Sequence, residues 1–519
     1  FTRQDTLRGS ITPERVWWDV KYYHLDIKVN PADSTISGSN TIRYKVLKSF
    51  NRMQIDLQKP MEISKVTQDG KELKYQRDGN AFFIQLDAPQ NVGVIKEVVV
   101  FYGGKPKIAV KPPWDGGITW SKDKNGKPFI VSTCQGLGAS VWWPNKDHMY
   151  DEVDNMLISV TVPEYLVNVS NGRLKGVTDL KDGTRMYSWY VSNPINNYGV
   201  SINIGDYVIF SEVYKGEKGN LDCQYYVLKD NLEKGKTHFK EVPQMLKAFE
   251  HWFGPYPFYE DSYKLVETPY LGMEHQSCVA YGNGYQNGYL GNDVSESGWG
   301  LKFDYIIVHE SGHEWFANNI TYKDIADMWI HESFTCYSEN LFVEFYYGKQ
   351  AGSEYVRGLR DRIENEKPII GKYDVNNEGS SDMYDKGANM LHTLRQIVND
   401  DEKWRTILRG LNSTFYHQTV TTKQIEDYLS KSVGLDLKPF FDQYLRDARI
   451  PTLEYKFRDN TLSYRWANCV SGFKMPVKVI LNGKEKLLKP KTEWTNLPQT
   501  TKNLKLEVDK DFYVNVLKN

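Results

Sequence analysis

Up to about residue 207, apolar side chains alternate with polar ones. The pattern runs through Tyr23, Leu25, Ile27 and Val29, then Ile42, Tyr44 and Val46, then Met53, Ile55 and Leu57. It returns at Met156, Ile158 and Val160 and at Val200, Ile202 and Ile204. A period of two predicts half-buried strands. Turn-forming runs such as Asn30-Pro31-Ala32-Asp33-Ser34 and Lys181-Asp182-Gly183 separate them. Residues 1–207 are therefore expected to form an antiparallel β-sheet domain. From residue 208 the period lengthens. A helix is expected over 232–253, stopped by Gly254-Pro255, and a short strand over 264–267. A second helix is expected over 324–347, opened by Asp324 and Asp327 and closed by Gly348. Its buried face is marked by Ile325, Met328, Trp329, Cys336 and Val343. Further helices are expected over 353–366, from Met383 through Ile397, and over 425–430 and 438–446. Residues 208–449 thus read as a mostly helical domain with a small sheet. After Ile450-Pro451 alternation resumes at Leu453, Tyr455 and Phe457, and Val477, Val479 and Leu481 run into Asn482-Gly483, a hairpin signal. Residues 450–519 are expected to form a small β-sandwich, giving a multidomain α+β chain.

Length agrees with this division, because 519 residues exceed what a single core holds. The formal net charge of −1 offers no basic excess for nucleic acid. No run of about 18 apolar residues is present, so no membrane span is expected. The five cysteines lack CxxC spacing and are odd in number, which argues against a disulfide scaffold. Cys336 reads as a small buried hydrophobe, with a fourth metal ligand as the lesser alternative.

Chemistry concentrates at His309-Glu310-Ser311-Gly312-His313. Imidazoles four apart on a helix share a face and can converge on one ion at roughly 2.0–2.1 Å each. Glu310 is angled off that axis, where it reaches a water beside the ion. Glu332 lies on the apolar face of the next helix, where an unpaired carboxylate is costly. A divalent ion shared by His309, His313 and Glu332 removes that cost and leaves a position open; a structural ion pair is the alternative. Two imidazoles and a carboxylate suit zinc, one ion per chain. Gly312 weakens its helix by about 1 kcal/mol relative to Ala, so tertiary contacts are expected to hold it. Asp327 is expected either to hold a ligand imidazole by its second nitrogen or to cap the helix. The run Cys134-Gln135-Gly136-Leu137-Gly138 reads as a loop facing a pocket or as a surface turn.

The chain resembles the aminopeptidase N family of zinc metallopeptidases, in the gluzincin clan, which also includes the leukotriene epoxide hydrolase. The resemblance rests on HExxH, eighteen residues and Glu at 309–332, on Gly272-Met273-Glu274, and on Tyr384-Asp385-Lys386-Gly387. Phe253-Gly254-Pro255-Tyr256-Pro257, Asp327-Met328-Trp329 and the Ile450-Pro451 junction are also similar. The chain departs at His275, where the family usually has Asn, and at His331-Glu332-Ser333, where Asn-Glu-Gly is common. The resemblance implies a thermolysin-like catalytic domain. It also implies a more open site, because no helical domain follows the β-sandwich. It implies that Tyr384 donates to the oxyanion, that Glu274 accepts the substrate's α-ammonium, and that Gly272 and Met273 line the substrate. Gln135 is expected to line the first side-chain pocket.

The expected reaction is zinc-dependent hydrolysis at the N-terminal bond of peptides with a free N-terminus, with Glu310 as general base and then general acid. Endopeptidase or epoxide hydrolase chemistry on the same fold, or a non-catalytic interaction scaffold, are the alternatives. The missing initiator Met and the resemblance to exported relatives favour a secreted or periplasmic protein, expected to be a monomer.

Overall fold

The alternating stretches form strands, but the first seventeen residues do not. A computed structural model describes residues 1–499 and 505–519; residues 500–504, inside the expected C-terminal domain, lie outside the described residues. Helix α1 (Arg3–Gly9) is opened by a reciprocal cap between Thr2 and Asp5, and α2 (Pro13–Val16) follows. Neither was expected. The strand Trp18–Asn30 then lies inside an eight-stranded sheet. It pairs antiparallel with Thr35–Val46 but parallel with Asn155–Pro163. The sheet is therefore mixed rather than antiparallel. The residues between build a three-stranded sheet, supply two strands of a four-stranded one and add Glu62–Gln68, Lys71–Glu72 and Ile95–Gly104 to the large sheet, and the chain then re-enters beside its first strand in the same direction.

A five-stranded sheet opens the next region, with Tyr207–Gly216 and Gly219–Leu228 followed in space by Tyr263–Glu267, Val279–Tyr281 and Gly272–Met273. The single helix expected over 232–253 is two, α3 (Leu232–His238) and α4 (Glu241–Phe253). Proline tolerates only the first helical turn, so Pro243 makes the helix restart at Glu241. Helix α5 (Tyr305–Gly312) and α6 (Trp329–Tyr347) follow. The segment 325–327 ahead of α6 is a 3₁₀ turn, capped by the Asp324 side chain on the Ala326 N–H. Helix α7 (Lys349–Gly358) begins four residues before the expected 353, because Gly348, at φ 93°, ends α6 and opens α7 at once. Then come α8 (Asp385–Val398), α9 (Asp401–Thr414), α10 (Thr422–Val433) and α11 (Lys438–Leu445).

The last region pairs a four-stranded with a three-stranded sheet. Asn482 and Gly483, at φ 51° and 76°, join Val477–Leu481 to Lys484–Leu488 as the two-residue hairpin expected.

Among the described residues two large hydrophobic cores result, beside a small cluster of Leu7, Ala81 and Phe83, and the five-stranded sheet separates the large ones. Leu221, Cys223, Tyr225, Leu265, Val279 and Tyr281 face the helices, while Tyr226, Val266 and Ala280 face the N-terminal sheets. Alternation along a strand sends neighbours to opposite faces, so one sheet serves both cores. Leu453, Trp466 and Val477 of the C-terminal strands join the helical core. Glu274 follows the edge strand Gly272–Met273, at the seam between the cores.

Candidate metal centre and substrate site

Helix α5 is short and tightly held. Asp304 caps it, accepting from the Ile306 and Ile307 N–H groups at 2.9 and 3.2 Å. The same carboxylate takes bonds from Tyr281 and His238 at 2.7 and 2.6 Å. Gly312 is the last helical residue, and His313 stands at the C-cap with φ −64°. A methyl on Gly312 would lie 2.6 Å from Ser338 Oγ and 3.2 Å from Thr335 Cγ2. The glycine therefore lets α5 and α6 close on one another, which brings Glu332 to the two histidines.

Hydrogen bonds fix how each imidazole points. His309 Nδ1 lies 2.6 Å from Glu339 Oε1, with the Tyr305 hydroxyl at 3.2 Å. His313 Nδ1 lies 2.9 Å from the Phe316 carbonyl. With Nδ1–H committed on both rings, both Nε2 lone pairs face inward. Glu332 Oε2 sits 3.3 Å from His313 Nε2 and 3.7 Å from His309 Nε2, and it is buried without a hydrogen-bond partner. A tetrahedral ion with bonds of about 2.0–2.1 Å has ligand–ligand edges of about 3.3–3.4 Å. The His313–Glu332 distance matches that edge and the His309–Glu332 distance exceeds it slightly, all three residues' ligand atoms lie within 4.8 Å of one another around an orphaned acceptor, and the residues fit a zinc ion. Against burial, the charges of His313 and His309 hold the Glu332 carboxyl well below the usual range.

Glu310, on α5 beside His309, is 9% exposed. Burial, opposed by the two histidines and reinforced by Glu274, pushes its carboxyl up to about 7. A methyl on Gly272 would come within 3.1 Å of Glu310 Oε1 and 2.7 Å of Ile306 Cγ2. Gly272 therefore makes room for Glu310 itself, a neighbour the sequence did not indicate. Met273 packs into the N-terminal core.

Glu274 is 2% exposed and accepts from Gln135 Nε2 at 2.7 Å and from the Tyr198 hydroxyl at 3.1 Å. Gln135 also donates to Glu332 Oε1 at 3.1 Å, so it bridges the two carboxylates. Burial raises the Glu274 carboxyl, and Glu332 nearby adds to this. Among the described residues, Glu274, Glu310 and His313 also converge as a group that could hold a cation. Tyr384 is the residue before α8, with its ring centroid 6.3 Å from that of His309. Burial, with the charges of Glu332, Glu274 and Glu310, pushes its hydroxyl well above the ordinary tyrosine range. It stays a hydrogen-bond donor at any physiological pH.

Asp327 takes neither role expected of it. It accepts from the Thr422 N–H and hydroxyl at 3.1 and 2.6 Å and from Tyr373 at 2.5 Å, tying the turn ahead of α6 to the start of α10. Glu339 is the carboxylate that orients a ligand imidazole. Its signal was its place seven residues after Glu332, two turns along one face of α6. His331 accepts the Tyr322 N–H at Nε2 and is no ligand. His275 is fully buried with neither ring nitrogen bonded, and burial pushes it down to about 3. Cys336 Sγ donates to Asp385 Oδ1 at 3.8 Å.

The model of the family described as "Peptidase family M1 domain" matches residues 237–444. Leukotriene A-4 hydrolase of Xenopus laevis is 23% identical over 443 residues, covering 80% of this chain and 68% of its own. Probable aminopeptidase 1 of Saccharolobus solfataricus is 20% identical over 486 residues, covering 88% of this chain and 58% of its own. The chain thus spans between 58% and 68% of the length of these two relatives. A two-domain M1 zinc metallopeptidase, solved as a mutant bound to L-tryptophan, superposes with a TM-score of 0.72 at 20% identity, covering 85% of this chain and 98% of its own. M1 zinc metallopeptidase from Deinococcus radiodurans gives 0.71 at 20% identity, covering 85% and 97%.

Proposed function

The chain carries a peptidase family M1 domain, and on that premise we propose that it is a zinc-dependent aminopeptidase removing single residues from the free N-terminus of peptides. The observation that carries this reading is Glu274. It is a buried carboxylate beside the metal ligands, bonded to two neutral donors, and no Lys or Arg pairs with it among the described residues. A desolvated carboxylate favours a cationic partner. The α-ammonium of a peptide supplies one, and its capture at Glu274 sets the first peptide bond at the metal ligands.

Gln135 and Tyr198 hold the Glu274 carboxylate in place for this contact. His309, His313 and Glu332 would hold zinc, which supplies Lewis acidity to the scissile carbonyl and acidifies water. Glu310 accepts a proton from the attacking water and returns it to the leaving amine. Tyr384 donates its hydroxyl proton in a hydrogen bond to the oxygen that becomes an oxyanion.

Paired peptides, one with a free and one with an acetylated N-terminus, test the reading with and without a chelator. Cleavage of the free peptide alone, abolished by chelator, is expected. Equal cleavage of both would remove Glu274 from its role and favour endopeptidase chemistry.

A further inference from the structure

Between the strands Ile95–Gly104 and Gly117–Lys122, residues 105–116 form a loop whose apolar side chains face solvent. Val110 is 81% exposed, Trp114 70% and Ile108 58%. Single exposed apolar residues are ordinary. Three within seven positions, interleaved with the exposed Lys105, Lys107 and Lys111, form a patch.

None of these lysines forms an ion pair among the described residues; Lys107 Nζ donates only to the Asp115 carbonyl, at 3.2 Å. The loop's one carboxylate, Asp115, accepts from the Val110 N–H at 2.5 Å and so serves the loop itself. Local charge is therefore positive and unanswered. The loop is also pinned. Ile108 bridges Ile118, Pro112 and Pro113 restrict the backbone, and Gly116 lies against Leu137, 3.0 Å from its Cβ to a methyl on the glycine. Its apolar side chains are presented outward by a fixed backbone.

We propose that this loop docks the protein onto an anionic lipid surface, with Trp114, Val110 and Ile108 entering the interface and the three lysines among the headgroups. Tryptophan favours the boundary between water and hydrocarbon, and lysine buries its stem there while keeping its charge wet. A stable protein partner needs about 20–30 residues a side, and this loop offers six exposed apolar or cationic ones. Lipid needs only a few side chains plus opposite charge. Among the described residues no helix is long and apolar enough to cross a membrane, and this contact requires none.

Co-sedimentation of the full chain with vesicles tests this. Intrinsic fluorescence would not isolate Trp114, because the chain has 14 tryptophans. Vesicles of phosphatidylcholine mixed with phosphatidylglycerol should sediment the protein at low salt, and phosphatidylcholine alone should not. Each lysine contributes about fivefold, so K105Q/K107Q/K111Q should lose affinity on the order of a hundredfold. Added salt should weaken wild-type binding. V110S/W114S should lose at least about tenfold. Equal melting temperatures would exclude unfolding as the cause. No sedimentation with the mixed vesicles overturns the proposal, as does wild-type binding by both variants. Variants that bind vesicles normally but lose turnover of long peptides would assign the loop to a peptide and also overturn it.

Discussion

Replacing Glu339 by Gln removes one hydrogen-bond acceptor from behind a metal-facing imidazole. Glu339 has a side chain 1% exposed, and its oxygens are divided between two partners. Oε1 faces His309 Nδ1 at 2.6 Å, and Oε2 accepts from the Tyr355 hydroxyl at 2.5 Å. A carboxylate serves both, whereas a carboxamide has one oxygen and must turn an NH₂ towards one of them. With Tyr355 holding the oxygen, His309 loses the anion that fixes its tautomer and raises the basicity of Nε2. Loss of such a partner costs about 10–100-fold in metal affinity, or about 1.4–2.7 kcal/mol. Adding Tyr355→Phe removes the competing donor, lets the amide oxygen turn to His309, and should recover part of the loss. Competition against a chelator of known zinc affinity measures all three proteins. Wild-type affinity in E339Q would refute the reasoning and leave His309 oriented by the ring of Tyr305, stacked at 5.1 Å.

Three further outcomes are expected. Glu310→Gln should bind metal as wild type yet lose about 10²–10⁴ in kcat, read by metal analysis and turnover of the same sample. Tyr384→Phe should lose about 10²–10³ in kcat with a smaller change in KM, measured on an amino-acid arylamide. Glu152 bears on stability instead. Its Oε1 is sealed from solvent without a partner, and burial pushes its carboxyl up to about 8 from an ordinary 4.5. The folded chain binds that proton more tightly than the unfolded one, so stability falls as pH rises from about 4.5 to 8. Glu152→Gln should flatten this fall, and melting curves at pH 5.5 and 8 with the same slope as wild type would count against it.

The metal ligands were legible because they obey local geometry: His309 and His313 share a helical face, and Glu332 is a carboxylate on an otherwise apolar stripe. The support behind them was not. Residues 329–343 of α6 are buried all round, so polar Ser333, Thr335 and Glu339 sit inside with partners from other segments. A one-sided pattern cannot show such a helix, and of Glu339 only its seven-residue spacing from Glu332 is visible in the sequence. Asp327 bonds partners 46 and 95 positions away, which no local pattern marks. The parallel pairing of Trp18–Asn30 with Asn155–Pro163 is non-local in the same way, since alternation fixes a strand's faces but not its neighbour. The break between α3 and α4 was readable from Pro243. The capping pair Thr2 and Asp5 likewise marked α1 in a stretch without alternation.

X-ray diffraction at the zinc absorption edge decides whether these three side chains share an ion. One anomalous peak per chain is expected, within bonding distance of His309 Nε2, His313 Nε2 and Glu332 Oε2, and none in a Glu332→Ala variant. A peak seated instead between Glu274 and Glu310, or no peak in protein that hydrolyses peptides, would contradict it.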